Sequence, residues 1–231
     1  MYFDWTYMVI VLPAFLFALW ASASVKSTFR KYQKQHSSRG ITGYEAAKRI
    51  LHANGLSHIR IERISGHLSD HFDPRSQVIR LSDSVYGSTS TAAIGVAAHE
   101  AGHAVQYATN YAPLKLRNAI IPITTIGSRL AIPLFFIGFL LSSVDSLYLG
   151  IAYAGLIGFG LSVVFQLLTL PTEFDASRRA LAAISNQGIL SMDELAASKK
   201  VLRAAAMTYV AALAVSIAQV LRFLVLLNRR R

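Results

Sequence analysis

Val96-Ala97-Ala98-His99-Glu100-Ala101-Gly102-His103-Ala104-Val105 carries the pattern His-Glu-x-x-His inside a helix-forming, apolar run. Residues four apart lie one above the other on a helix face, so His99 and His103 present their imidazoles to one point. Two rings so placed can converge on one zinc ion at about 2.0–2.1 Å. Glu100, beside His99 and three residues before His103, can lean over a metal-activated water without ligating and serve as general base. Gly102 permits close approach of another backbone. The five-residue pattern arises by chance in roughly one chain in a hundred of this length. The competing reading is two helix-surface histidines with a solvated carboxylate.

A catalytic zinc usually takes three protein ligands and keeps one position open. The 231 residues contain no cysteine, so the ligands must be His, Asp or Glu and no disulfide framework exists. Glu173, in Leu170-Pro171-Thr172-Glu173-Phe174-Asp175-Ala176-Ser177, is the best candidate for the third ligand. It lies just past an apolar segment, on the side that the charge pattern assigns to the His-Glu-x-x-His helix. Its alternative role is an acidic residue favoured in a first helical turn.

Around these residues the composition points to a bilayer. The chain is 53% hydrophobic and 15% charged, with mean hydropathy +0.41, whereas soluble domains carry about 25% charge. Four apolar stretches approach the roughly 20 residues that a crossing helix needs. They cover about 7–25, 130–144, 147–170 and 207–227. The second is interrupted by Pro122, Arg129 and Pro133, and its start is as early as Ile120 if the prolines are tolerated. The short loop at Ser142 to Ser146 makes spans two and three a hairpin. The first stretch has only Asp4 ahead of it, without the basic start of a signal peptide, and reads as a retained anchor. The implied organisation is an N-terminal span (1–25), a polar domain (26–128), a hairpin (129–170), helices bearing Glu173 (171–206), and a C-terminal span with a basic tail (207–231).

The polar region reads as a folded domain. Thr42 and Glu45 form a capping box for a helix ending at Asn54-Gly55. His58 to Ile64 alternates as a strand should, Asp73-Pro74 marks a turn, and Gln77 to Leu81 reads as a second strand, which together fit a small antiparallel sheet. Ser88 to Thr91 offers N-caps for a helix reaching about Tyr107. Pro171-Thr172 should end one helix and start another, with Thr172 and Asp175 as its cap. Ser191 with Glu194 opens a helix that carries Lys199, Lys200 and Arg203 toward span four. The expected fold is therefore mainly α: integral membrane helices, a zincin-like helix and a small antiparallel sheet.

The net charge is +11, and the basic residues flank apolar segments. No nucleic-acid fold signature is present, so nucleic acid is not an expected partner. Lys26, Arg30, Lys31, Lys34 and Arg39 after span one, Lys115, Arg117 and Arg129 before span two, and Arg178 and Arg179 after span three place the polar domain in the cytoplasm. Arg229, Arg230 and Arg231 disagree if span four crosses fully. The expected location is the cell membrane, multi-pass, with the active site on the cytoplasmic side.

Ala97 to Gln106 together with Thr169 to Ser177 resembles the bacterial YugP-type membrane zinc metallopeptidases, as do Leu68 to Pro74 and Ala205 to Ala212. The resemblance covers about Gly43 to Ala212. It implies a gluzincin-type site: His99 and His103 as zinc ligands, Glu173 as the third, Glu100 as base. The chain more weakly resembles the HtpX and Ste24-type membrane proteases, and analogy with the HtpX-type enzymes implies a role in membrane-protein quality control. Those proteins carry an Asp four residues after the ligand Glu, where this chain has Ser177. Asp175 either orients a zinc histidine or caps its helix. Tyr209 either donates to the tetrahedral oxyanion or anchors at the membrane interface. His71 is a site residue or part of a turn, and His36, His52, His58 and His67 have no ligand spacing. An extended substrate would pair with the strand near Gln77 to Leu81 if its edge is free. The implied function is a membrane-anchored zinc endopeptidase acting on protein or peptide substrates at the bilayer, alone or as a homo-oligomer. The alternative is an inactive zinc-binding membrane scaffold or regulatory subunit, in which Asp175 or His71 closes the metal site as a fourth ligand. A transporter is disfavoured, because the spans carry few ionisable groups.

Overall fold

The computed structural model describes residues 5–229; Asp4, Arg230 and Arg231 of the charge argument lie outside them. The fold is mainly helical with one small sheet. The chain divides into two compact units. A polar unit comprises Ser22–Lys115 and Pro171–Met207. A membrane unit comprises the described residues up to Ala21, Leu116–Leu170 and those from Thr208 onward.

In the polar unit, helix α2 (Gly43–Ala53) opens with the expected capping box. Thr42 Oγ1 accepts from the Glu45 N–H at 3.2 Å, and Glu45 Oε2 accepts from the Thr42 N–H at 2.8 Å. Those bonds to Thr42 hold the Glu45 carboxyl below its ordinary range. The helix stops at Asn54, and Gly55 takes φ +71°, a conformation that costs glycine little. Replacing Thr42 by Ala should cost about 1 kcal/mol. Denaturation of the full-length protein in detergent measures that loss, and zinc content should not change.

Three strands follow: β1 (Arg60–Ile64), β2 (His71–Asp73) and β3 (Val78–Ser82), in the order β1-β3-β2. The pairing differs from the expected antiparallel sheet. β2 and β3 form an antiparallel hairpin, but β1 runs parallel to β3. The segment read as turn around His71 is a strand, and it takes the second edge of β3. Val78, Ile79 and Leu81 are consequently buried in the centre. The expectation that β3 offers a free edge to substrate is overturned; of the two edge strands, β2 is the one that packs near the His-Glu-x-x-His helix.

After a short helix α3 (Asp83–Tyr86), helix α4 (Thr91–Ala108) carries the His-Glu-x-x-His motif. Ser90 caps it, accepting from the Ala93 N–H at 3.2 Å. Ala93, Ile94, Ala97, Ala98, Ala101 and Ala104 are fully buried. Such small side chains let neighbouring elements come close to the helix on several sides.

The remaining helices are α1 (Leu12–Tyr32), which continues a π-turn at Tyr7–Val11, then α5 (Ala112–Leu141), α6 (Leu149–Asn186) and α7 (Met192–Asn228). All four are long and apolar enough to cross a membrane. Two expectations are corrected here. Pro122 and Pro133 do not break α5, and Pro171 does not separate two helices: α6 runs through it. Proline in a helix interior costs roughly 3 kcal/mol in isolation, but nearby groups can satisfy the freed backbone. Thr124 and Thr125 hydroxyls donate back to the Ile120 and Ile121 carbonyls within the same helix. Beyond Pro171, the burial of Thr172, Glu173 and Ala176 holds the segment helical. As read from Ser191 and Glu194, α7 passes without interruption into the fourth apolar stretch. Within the membrane unit, α5 and α6 form the hairpin and meet through glycines. A Cβ on Gly158 would lie 2.7 Å from the Gly127 carbonyl oxygen, and one on Gly155 would meet the Phe135 backbone. Small residues permit such contact where no hydrophobic force drives helices together.

Candidate metal centre

His99 and His103 project from α4 one turn apart, with ring centroids 4.6 Å apart and planes at 82°. Glu173 reaches them from α6. Its Oε2 lies 3.2 Å from His99 Nε2 and 3.5 Å from His103 Nε2. One ligand atom from each of the three residues falls within 4.8 Å of the others. Two helices therefore supply the cluster, and their spacing is set by Gly102. A Cβ there would stand 2.6 Å from the Ala176 carbonyl oxygen, so α4 and α6 touch backbone to backbone beside the ligands.

The outer ring nitrogens are also engaged. His99 Nδ1 lies 3.1 Å from Ser177 Oγ, and His103 Nδ1 lies 3.0 Å from Gln106 Oε1. Gln106 is fully buried and donates from Nε2 to the Thr172 carbonyl at 2.7 Å and to Asp175 Oδ2 at 3.0 Å. Asp175 is in turn held by Arg178 and by Arg179, the latter at 2.6 Å. Burial opposes charge on His103, but the bond to Glu173 and the fields of Glu100 and Glu173 outweigh it and raise its pKa above the ordinary histidine value. Glu100 is buried on α4 beside them.

The donor set suits zinc. Two imidazoles have Nδ1 occupied and Nε2 turned inward, and a buried carboxylate completes three N and O donors. Neither proposed fourth ligand joins the group. Asp175 is taken up by Gln106 and the two arginines, and Gln106 in turn contacts His103. His71, exposed at the start of β2, has Nδ1 2.9 Å from the Ser69 carbonyl oxygen. Tyr209 is half-buried in α7, within the membrane unit. His36, His52, His58 and His67 are all exposed. Gln106 and Ser177 are the residues that sequence reasoning left without a role. The available signal was a polar residue three positions after His103 on an otherwise apolar helix, a spacing that brings side chains together.

Comparison with known proteins gives the class: this is a zinc metallopeptidase of the membrane. Residues 7–228 match the family described as "Putative neutral zinc metallopeptidase", and the chain belongs to that family. It is 44% identical over 225 residues to the "Putative membrane protease YugP" of Bacillus subtilis (strain 168), covering 97% of this chain and 98% of that one. No solved structure matches the chain.

Proposed function

We propose that the chain is a membrane-anchored, zinc-dependent endopeptidase in which His99, His103 and Glu173 hold the metal and Glu100 is the general base. The observation that carries this is the convergence of three donors from α4 and α6, with Glu100 between the two histidines in sequence. A closed structural site would need a fourth protein donor; among the described residues the cluster has three. Bound zinc supplies Lewis acidity, polarising a peptide carbonyl and lowering the pKa of water to about 7. Glu100 takes a proton from the attacking water as its oxygen adds to the carbonyl carbon. It returns that proton to the amide nitrogen as the C–N bond breaks.

An extended substrate pairs with β2, an edge strand of the sheet. Phe72 of that strand packs against Tyr107 of α4, ring centroids 6.0 Å apart, four residues after His103. The basic flanks support a site on the cytoplasmic side, and substrates are membrane proteins or peptides at that surface. Quality control of membrane proteins is the role that the HtpX-type analogy supports.

The test is cleavage of an unfolded, membrane-tethered substrate by the purified protein. Treatment with a chelator should abolish cleavage, and stoichiometric zinc should restore it. One zinc per chain with no cleavage in any condition would instead favour the scaffold reading.

A further inference from the structure

We propose that Gln106, held in one orientation by Asp175 and Thr172, fixes the proton of His103 on Nδ1 and so commits the Nε2 lone pair to the metal. This rests on the metal-centre reading above and extends it to residues that no ligand motif contains.

The argument is one of donor and acceptor capacity. A glutamine amide has two N–H donors on one side and an accepting oxygen on the other. The Thr172 carbonyl and the Asp175 carboxylate both take hydrogen bonds from Gln106 Nε2, at 2.7 and 3.0 Å. A backbone carbonyl can only accept, and Arg178 and Arg179 keep Asp175 an anion that can only accept. Turning the amide over would place its oxygen against two acceptors in a fully buried position. One orientation therefore survives. In it, Oε1 faces His103 Nδ1 at 3.0 Å and can only accept. The imidazole must donate there. A neutral ring with its proton on Nδ1 carries its lone pair on Nε2, the atom that faces Glu173.

His99 lacks such control. Its Nδ1 partner is the Ser177 hydroxyl, which donates or accepts equally well and enforces neither tautomer. The arginine–aspartate–glutamine chain thus acts on one of the two histidine ligands. Gln106 and Asp175 are positioning residues, since neither belongs to the donor cluster.

The experiment uses the full-length protein in detergent. Zinc affinity is read by chelator competition, and the visible spectrum of the cobalt-loaded protein reports ligand geometry. Gln106→Met keeps the size and removes the amide; it should weaken zinc binding about 10–100-fold, the range typical of partners behind a metal histidine, and alter the cobalt spectrum. Asp175→Asn leaves the amide in place but frees its orientation; it should shift both readouts in the same direction by less, and it serves as the second test if Gln106→Met does not fold. Folded variants of both kinds that bind zinc as tightly as wild type, with an unchanged cobalt spectrum, would overturn the proposal and leave Gln106 a structural bridge. A wild-type protein that takes up no zinc would overturn the metal-centre reading beneath it.

Discussion

Glu100→Gln should retain one zinc per chain and lose hydrolysis of a tethered substrate by about 10²–10⁴-fold, the usual contribution of a positioned general base. Gln matches Glu in size and fits the same buried position on α4. It cannot take a proton from water. The proposed metal donors are His99, His103 and Glu173, so their geometry should survive. Parallel measurement of zinc content and turnover separates the outcomes. Full activity in the variant would remove Glu100 from the mechanism. Loss of zinc together with activity would instead make it a residue that shapes the site.

Gly102→Ala should damage the metal cluster directly, because the added methyl falls at the contact between α4 and α6. Two effects oppose one another. Alanine raises helix propensity by about 1 kcal/mol over glycine. The new Cβ, however, would stand 2.6 Å from the Ala176 carbonyl oxygen and 3.3 Å from its Cα. Those are backbone atoms, so no side chain can swing away. Overpacking costs typically 1–3 kcal/mol, and relief requires α4 and α6 to separate where His103 meets Glu173. A shift of about 1 Å in a catalytic geometry can cost around 10²-fold in rate, so activity should fall by that much or more and zinc binding should weaken. Gly87→Ala, with open space around the new methyl, is the matched control and should leave both unchanged. Zinc affinity at the wild-type level in Gly102→Ala would show that the ligands do not depend on this contact.

The zinc helix, both capping boxes and the apolar stretches were legible because each is written within a few neighbouring residues. His99 and His103 are four apart, Thr42 and Glu45 three, Ser191 and Glu194 three. Glu173 was reachable through topology and resemblance, 70 positions from His103. What escaped was decided by distant partners. Pro171 carries a local instruction to stop a helix, and packing of Thr172, Glu173 and Ala176 overrides it. Strand order escaped as well: β1 pairs with β3 in parallel across the intervening β2, and a three-residue strand gives almost no alternation to read. Asp175 was ambiguous because its partner, Gln106, lies on another helix 69 positions away.

The three donors come from only two helices, and this ties occupancy of the site to local unfolding. A ligand that binds only the docked arrangement stabilises it by RT ln(1 + [L]/Kd), about 4 kcal/mol at a thousandfold excess over Kd. With His99 and His103 on α4 and Glu173 on α6, that energy falls on the α4–α6 junction. Backbone amides around Thr172 to Ala176 should therefore exchange with deuterium far faster in the chelated protein than in the loaded one. The capped start of α2, remote in sequence and stabilised by its own Thr42–Glu45 bonds, should change little. Metal supply would then govern the lifetime of the folded enzyme as well as its turnover.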